Sequence, residues 1–483
     1  MSPDALLGLV MLIVMIFAIF IGFPISFTLL FLALAFGYFG LGQMVYSLAY
    51  FQTIGLMKEE LLAAVPLFIF MGYMTERAGL MERLFIALRL LFAPILGSLF
   101  AVVILTATIF AMATGIVGAA VTVLGIMASP IMVKAGYDGR LAAGCITAGG
   151  TLGILIPPSV MLIVMGPVLG VSVADLYAAA FGPGFLLAGL YLVYLLGRAF
   201  LNPKLGPPVP REERVHSLPV MLREVAIGVL PLVGLIAAAL GSILAGLATP
   251  TEAAGIGALG AVLLAAGYGK LSYAGMKQVV LSTTATSSMV LLLAMTSNIF
   301  GAVFSRLGTA TWITDMMLAL PLPPVAMLVV VILLIFLLGW PFEWPAIVLV
   351  FLPIFYPVVD ALKPALGAAL GIPADYVMVW FGALVAVTLQ TAFLSPPVAM
   401  SAYYLRQVVK EWSLATIYKG MFQFMILQCI AIALIVVFPA IAIKLPEQLR
   451  EEARAVKTEK VDDSMHRLEE DPHKVMQEEA GGK

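Results

Sequence analysis

Two pairs of adjacent prolines interrupt long apolar stretches of this chain. Pro157–Pro158 lies just before the last residue of GTLGILIPPS (150–159), and Pro396–Pro397 ends QTAFLSPP (390–397). A proline pair removes backbone N–H donors and clashes with the preceding turn, so a helix has to open there. The opening frees backbone carbonyls, which suit a sodium ion, and exposes N–H groups that suit a carboxylate. Hydroxyl groups that could add ligand oxygens surround both breaks, at Thr151, Ser159, Thr388, Thr391 and Ser395.

Two further apolar stretches, 98–135 and 325–361, are too long for one span and are interrupted at their centres. ATGIVG (113–118) brings two glycines and Thr114 to a turn, and GWPFEWP (339–345) places Glu343 between two tryptophans. Non-helical backbone at membrane depth is tolerated only inside protein or along a water-filled cavity, so each stretch is typical of a re-entrant hairpin. An acid at that depth is a functional candidate. The alternative is a headgroup-level loop anchored by the tryptophans.

The elements that position these residues are membrane helices. Of the 483 residues, 62% are hydrophobic and 11% are charged, whereas a soluble domain has about 25% charged residues. Apolar runs long enough to span lie at about 5–21, 24–40, 60–78, 175–198, 226–245, 250–267, 281–303 and 420–443. The broken stretches 140–170 and 376–404 add two more, so the sequence predicts about ten crossings.

The same order of features occurs twice along the chain. A proline-led span, a hairpin and a Pro-Pro break follow one another in residues 1–224 and again in 225–443. An odd number of predicted crossings separates each feature from its repeat, so the halves should be inverted relative to each other. We predict an all-α polytopic membrane protein of two inverted repeats, with two re-entrant hairpins and two Pro-Pro-broken helices. This architecture is typical of secondary transporters. Residues 444–483 form a charged C-terminal tail.

Charge distribution sets the expected orientation and excludes several functions. Lysines and arginines concentrate in the loops of one side, which is therefore predicted to be cytoplasmic with both termini outside. This side holds Arg83, Arg89, Lys134, Arg140, Lys204, Arg211, Arg214, Arg223, Lys270, Lys277, Arg406, Lys410 and Lys419.

The net charge of −1 argues against a nucleic-acid partner. The chain has no P-loop motif, so it contains no ATP-driven motor. A membrane enzyme is disfavoured because few titratable groups lie at membrane depth, and a channel would need a repeated pore-lining motif.

Several of these segments resemble the large membrane subunit of TRAP transporters, the DctM-like family. The resemblance rests on TPTEAA (249–254), GILIPPS (153–159), the Gly339-to-Glu343 pattern and FLSPP (393–397), and it covers roughly residues 5–443. TGIVGA together with LQTAFLSPP is most similar to the subgroup labelled mannitol/chloroaromatic compound transport.

The resemblance implies a function and a set of partners. Such proteins are Na⁺-driven, elevator-type permeases of tripartite ATP-independent periplasmic transporters in the bacterial inner membrane. They work with a small four-helix membrane subunit and a periplasmic substrate-binding protein, in contact with membrane lipid. We expect uptake of a small carboxylate-bearing solute, with Na⁺ as coupling ion and no other cofactor. The alternatives are a stand-alone ion-coupled secondary transporter of the same superfamily and, less favoured, an integral membrane enzyme.

The resemblance also implies site residues. The family's Ser-Gly tip falls on Thr114–Gly115, its tip aspartate on Glu343 and its Thr-Pro-Pro on Ser395–Pro396–Pro397, while Ile116 replaces a family serine. No residue is predicted to be catalytic. The predicted Na⁺ ligands are Thr114, Gly115, Gly150, Thr151, Pro157, Gly339, Glu343, Thr388, Thr391, Ser395 and Pro396. The predicted solute contacts are Pro158, Ser159, Gln390 and Pro397.

Overall fold

The computed structural model describes residues 2–208, 218–396, 399–452 and 454, and within these ranges the regular structure is helical. The first half contains α1 (Pro3–Ile21), α2 (Ile25–Leu41), α3 (Met44–Met57), α4 (Ala64–Arg77), α5 (Leu80–Phe92), α6 (Ser98–Thr114), α7 (Val117–Lys134), α8 (Gly139–Thr151), α9 (Val160–Leu169) and α10 (Val173–Leu201). The second half contains α11 (Leu218–Leu244), α12 (Pro250–Gly267), α13 (Tyr273–Arg306), α14 (Thr309–Leu318), α15 (Pro324–Leu338), α16 (Trp344–Ala346), α17 (Leu352–Leu370), α18 (Ala374–Gln390), α19 (Met400–Val408) and α20 (Leu414–Val437).

Nine helices of the described residues are long and apolar enough to cross a membrane. The number rises to ten when the bent pair Glu60–Arg77 and Leu80–Phe92 is counted as one span. The all-α, multi-pass prediction is therefore confirmed. Three helices, α3, α5 and α14, are missing from the spans predicted by sequence, because each is shorter than a membrane crossing.

Both predicted kinds of interrupted helix are present. α6 and α7 flank a break at Gly115–Ile116, and α15 and α16 flank a break over 339–343. A 3₁₀ turn, Leu152–Ile154, ends α8 before the first proline pair, and the turn Thr391–Phe393 ends α18 before the second. The second hairpin departs from its predicted bounds, because a π-helical turn and α17 continue its returning arm to Leu370.

The TPTEAA segment forms a helix start. Thr249 caps α12 through its hydroxyl, while its own N–H donates to Glu252 Oε2 at 2.8 Å, which completes a capping box. Pro250 occupies the first turn, where its missing N–H costs nothing. Glu252 therefore has the structural role that its position after Pro250 predicts.

The two halves contain the same order of elements, and helices of each half pack against helices of the other. α2 of the first half packs against α13 of the second, and α12 of the second half packs against α4 of the first. In the same way α20 packs against α8, and α10 packs against α18. Reciprocal pairing is the relationship expected between two repeats related by a two-fold axis. The inverted sense of the repeats stays a prediction from the crossing count.

α18 lies at the centre of the molecule. All residues of 376–393 are buried, whereas only 22% of the most apolar stretch of α1 is buried. The outer helices present large apolar side chains, among them Phe17, Phe31 and Phe39, as expected of surfaces that face lipid. The stretch that leads into the second proline break is therefore enclosed by protein.

Hydrogen bonds between loops bring several of the predicted cytoplasmic loops together at one end of the molecule. The N–H of Gly97 donates to Gly206 O at 2.9 Å, and that of Asp138 donates to Leu205 O at 3.0 Å. These contacts place the loops after α5, α7 and α10 at one end, together with Lys134, Arg140 and Lys204. That end matches the predicted cytoplasmic face.

A salt bridge holds the C-terminal helix (440–452) at the opposite end. Arg450 Nε donates to Asp175 Oδ1 at 3.1 Å and its Nη2 donates to Oδ2, while the guanidinium lies 4.8 Å from the centre of the Tyr376 ring. Asp175 begins α10 and Tyr376 begins α18. The contact therefore joins the C-terminal helix to two central helices.

We expect Arg450→Met to lower the free energy of unfolding by about 1 kcal/mol, because it removes a partly exposed bidentate pair and a cation–π contact. Chemical unfolding in detergent measures this loss. Lys363→Met is the matched control. Lys363 pairs with Asp360 within one helix turn, and the two side chains are 34% and 43% exposed, so this ion pair should contribute little to stability. Equal losses in the two variants would contradict a stabilising role for Arg450.

Candidate functional site

The first hairpin tip is compact and held by a close backbone contact. Gly115 ends α6 in the left-handed region, at φ 60°, which turns the chain into the extended residue Ile116 before α7 begins. Gly72 of α4 lies directly against the tip, since a Cβ at Gly72 would lie 2.7 Å from Thr114 O. Thr114 is buried, and its hydroxyl donates to Phe110 O at 3.3 Å. The tip is therefore positioned by α4 as well as by its own two arms.

The first proline break exposes backbone oxygens to this tip. Pro157 and Pro158 are buried. A Cβ at Gly115 would lie 3.6 Å from Pro158 O and 3.7 Å from Gly153 O. Neither oxygen accepts a hydrogen bond from any residue that the structure describes. Two unpaired carbonyl oxygens thus converge on the one tip residue that lacks a side chain.

Hydroxyl side chains around the first break give their protons to the backbone. Thr151 Oγ1 donates to Ala148 O at 2.8 Å, and Ser159 Oγ donates to Ile154 O. Each hydroxyl oxygen is therefore fixed in position and keeps lone pairs that could bind a cation. Gly150 serves a different purpose: a Cβ there would lie 3.1 Å from Val121 N, so Gly150 allows α8 to pack closely on α7.

The second half repeats the arrangement with different residues. Gly339 of the second tip lies against the second break, since its Cβ would lie 3.1 Å from the Ala392 Cβ. Beyond the tip, Glu343 is the N-cap of α16 and makes no side-chain capping bond. The carbonyl oxygen of Glu343 accepts from Ala346 N at 3.1 Å. Each hairpin tip therefore contacts the broken helix of its own half.

The second break also carries a ladder of hydroxyl groups. Thr388 Oγ1 donates to Leu384 O at 2.9 Å, Thr391 Oγ1 to Thr388 O at 2.6 Å and Ser395 Oγ to Thr391 O at 2.7 Å. Gln390 is fully buried, and neither its Oε1 nor its Nε2 meets a hydrogen-bond partner among the described residues. Pro396 is exposed, and Pro397 lies outside the described residues. A buried amide without a partner marks this break as a place where a polar ligand would fit.

A cavity of about 540 Å³ separates the two tips. Gly115 and Ile116 form part of its wall from the first tip, and Glu343 and Trp344 form part of it from the second. Its volume falls in the range of small-molecule sites. The tip cavity, as we call this space, is therefore shaped by both halves at once.

The tip cavity adjoins a larger charged space. A cavity of about 810 Å³ shares Tyr73 and Glu76 with the tip cavity and is lined by Arg77, Arg83 and Lys270. Arg83 and Lys270 belong to the predicted cytoplasmic side. A third cavity, of about 560 Å³, lies between α3, α9, α13 and α17 on the opposite side of the tip cavity and has no lining residue in common with it. The tip cavity is thus bordered by the charged cavity at the basic end and, beside the start of α2, by a cavity of about 440 Å³ whose wall also contains Glu343 and Pro345.

The predicted site residues divide between the cavity and the protein behind it. Gly115 and Glu343 line the tip cavity. Pro158, Ser159 and Gln390, for which the sequence predicts solute contacts, are buried behind Val160 and Phe393, which form the wall. The other described candidates lie at the tips or around the two breaks.

Sequence reasoning missed several residues of the cavity wall. They are polar groups on α4, α7, α13 and α19: Tyr73, Glu76, Thr122, Thr286, Tyr404 and Gln407. The one available signal was Glu76, an acid near the end of a predicted span. The others belong to no motif, because helices distant in the chain bring them together.

Comparison with known proteins agrees with this architecture. The family model described as "Tripartite ATP-independent periplasmic transporter, DctM component" matches residues 10–441. The sialic acid TRAP transporter large permease protein SiaM of Vibrio cholerae is 30% identical over 434 residues, which is 89% of this chain and 96% of that protein. The C4-dicarboxylate large permease protein DctM of Rhodobacter capsulatus is 27% identical over 443 residues, with the same coverage.

A solved structure shares the fold. The YdaH transporter of Alcanivorax borkumensis superposes with a TM-score of 0.58 at 16% identity, over 91% of this chain and 98% of that one. The curated relatives named above are transporter permeases, and the family match excludes the membrane-enzyme alternative. This chain therefore belongs to the DctM component family of tripartite ATP-independent periplasmic transporters and is a multi-pass permease subunit of the inner membrane.

Proposed function

We propose that this permease couples the uptake of a small carboxylate-bearing solute to the entry of Na⁺. The observation that carries the proposal is the contact, in each half, between a hairpin tip and a helix opened by prolines. Opened helices at the interface of two repeats are where secondary transporters bind their ions and solutes. The relatives named for sialic acid and for C4-dicarboxylates support a carboxylate as part of the solute.

The ligand chemistry around each break favours Na⁺. The oxygens are backbone carbonyls and hydroxyls, which suit hard cations, and no cluster of His, Cys, Asp or Glu able to hold another metal occurs in the described part of the chain. At the first break, we propose that Gly153 O and Pro158 O bind the ion beside Gly115. At the second break, we propose the carbonyls and hydroxyls of Thr388, Thr391 and Ser395 beside Gly339.

We propose an elevator movement for solute release. The moving part comprises the two hairpins and the two broken helices, and the frame comprises α2, α4, α12 and α13. Two frame helices are joined at the cavity wall, where Tyr73 Oη and Thr286 Oγ1 lie 2.8 Å apart. We propose that the described arrangement is the cytoplasm-facing state, which is supported by the residues Tyr73 and Glu76 that the tip cavity shares with the charged cavity at the basic end.

Partners follow from the class of transporter. We propose that a periplasmic binding protein delivers the solute and that a small four-helix membrane subunit packs against this chain. The longest hydrophilic loop, 199–224, is too short to form a capturing domain. The exposed apolar side chains of α1, α2 and α3 offer surface for lipid and for such a subunit.

Reconstitution tests this function. In proteoliposomes we expect this chain alone to give no appreciable uptake, and we expect uptake once the small subunit, the loaded binding protein and an inward Na⁺ gradient are all supplied. Replacing Na⁺ by K⁺ on both sides is the control for the ion, and omitting the binding protein is the control for delivery. Full uptake driven by a proton gradient without Na⁺ would overturn the sodium assignment. Robust uptake by this chain alone would instead favour a stand-alone secondary transporter.

A further inference from the structure

Two glycines of the frame occupy equivalent positions in the two repeats. The helices α4 and α13 each end two residues before a glycine in the left-handed region, Gly79 at φ 70° and Gly308 at φ 77°, and each of these glycines begins the next helix. Gly72 lies seven residues before Gly79, and Gly301 lies seven residues before Gly308. Gly72 of α4 and Gly301 of α13 therefore correspond to each other.

The surroundings of these two glycines differ. A Cβ at Gly72 would lie 2.7 Å from the backbone oxygen of Thr114, the residue before the turn of the first tip. Around Gly301, no described residue outside its own helix has an atom within 4 Å of such a Cβ. Gly301 instead lines the cavity of about 560 Å³ that separates α13 from α9 and α17. The frame thus contacts a hairpin tip at Gly72 and is separated from the moving part at Gly301.

The second tip lies further back along α13. Glu343 and Pro345, at the end of that tip, share the wall of the cavity of about 440 Å³ with Leu293 of α13. Leu293 precedes Gly301 by eight residues, which is about 12 Å along a helix. Because α13 begins close to Lys277 of the predicted cytoplasmic side, Gly301 lies nearer the outer face than this tip does.

We infer that Gly301 is the position at which the frame contacts the second tip in the outward-facing state, as Gly72 contacts the first tip in the described state. This inference rests on the proposed function, in which the hairpins move past the frame. Since the repeats share one fold and face opposite ways, a contact that one repeat makes in one state is available to the other repeat in the opposite state. A movement of about 12 Å along α13 brings the second tip to Gly301. Backbone approach as close as that at Gly72 leaves no space for a side chain.

Gly301→Met tests the inference in proteoliposomes that also contain the small subunit and the loaded binding protein. The new side chain fits into the cavity of the described state, so the unfolding temperature should not fall. It obstructs the contact of the outward-facing state, so the maximal rate of uptake should fall about tenfold or more. Gly301→Ala is the smaller change and should lower the maximal rate less. Its Na⁺ concentration for half-maximal uptake should equal that of the wild type, because both helix breaks are unaltered.

Gly255→Met is the matched control. Gly255 belongs to the frame helix α12, and a Cβ there would likewise have no atom of another described element within 4 Å. Unlike Gly301, it lines none of the four cavities described above. Gly255→Met should therefore transport at the wild-type rate. A wild-type rate in Gly301→Met, or equal losses of rate in the two methionine variants, would overturn the inference.

The response to Na⁺ separates this inference from the proposed function. Gly301→Met should retain the rise in unfolding temperature that Na⁺ causes in the wild type, measured against K⁺. If the wild type shows neither this rise nor Na⁺-dependent uptake, the proposed function fails. If the wild type shows both and Gly301→Met transports normally, the role of Gly301 is wrong and the sodium-coupled function stands.

Discussion

Gly115→Ala should raise the Na⁺ concentration for half-maximal transport by about tenfold or more. The added methyl group would lie between the carbonyl oxygens of Pro158 and Gly153, at 3.6 and 3.7 Å from them. These are ordinary contact distances, so the variant should fold. They leave no room for an ion that binds both oxygens. The expected loss is therefore one of ion binding and not of assembly.

Backbone strain has to be separated from this effect. Gly115 has φ +60°, and a side chain in the left-handed region costs about 1–2 kcal/mol. Gly170→Ala is a matched control, because Gly170 ends α9 at φ +61° and a Cβ there would contact nothing within 4 Å. Both variants should lose similar thermal stability, and only Gly115→Ala should shift the Na⁺ activation curve. A curve shifted equally by both would show that strain, and not occupation of the site, controls Na⁺ affinity.

Gln390→Leu should stabilise the Na⁺-free protein and reduce the further stabilisation that Na⁺ provides, because Gln390 lies among the proposed Na⁺ ligands Thr388, Thr391 and Ser395 of the second break. Gln390 is fully buried, and both polar atoms of its amide lack partners among the described residues. Each buried unsatisfied group costs about 1–3 kcal/mol. An apolar residue of similar size removes that cost together with the ligand atoms. Thermal unfolding with and without Na⁺ measures both effects. The unfolding temperature without Na⁺ should rise, and the increase that Na⁺ causes should become smaller.

The control for this variant removes a buried hydroxyl elsewhere. Ser297 Oγ is buried and likewise lacks a partner among the residues described, but it lines the cavity on the opposite side. Ser297→Ala should stabilise the protein slightly and leave the response to Na⁺ intact. If Gln390→Leu destabilises the Na⁺-free protein, the amide is satisfied by a structural partner such as buried water, and its role as a ligand is excluded.

Local chemistry explains why much of the architecture could be predicted from sequence. The lack of N–H groups at Pro157 and Pro158 opens a helix whatever its neighbours are, and the apolar length of a run is enough to predict a span. The capping box at Thr249 and Glu252 likewise depends only on residues within one turn. The amphipathic helix α5 was not predicted, because its 13 residues are too few for a crossing and Arg83 and Arg89 interrupt its apolar residues. Its buried face becomes evident only once it packs on α6 and α11.

The composition of the site depended on packing between distant segments. The sequence by itself determined the membrane class, the two hairpins, the two breaks and the presence of Glu343 at a tip. Tertiary structure alone decided that Gly115 meets the carbonyls of Pro158 and Gly153, that Gln390 is enclosed, and that Glu76 and Tyr404 share one cavity. The reason is physical: helix breaks follow from the covalent backbone of a few consecutive residues, whereas a cavity between two repeats exists only after α4, α13 and α19 have packed around both tips.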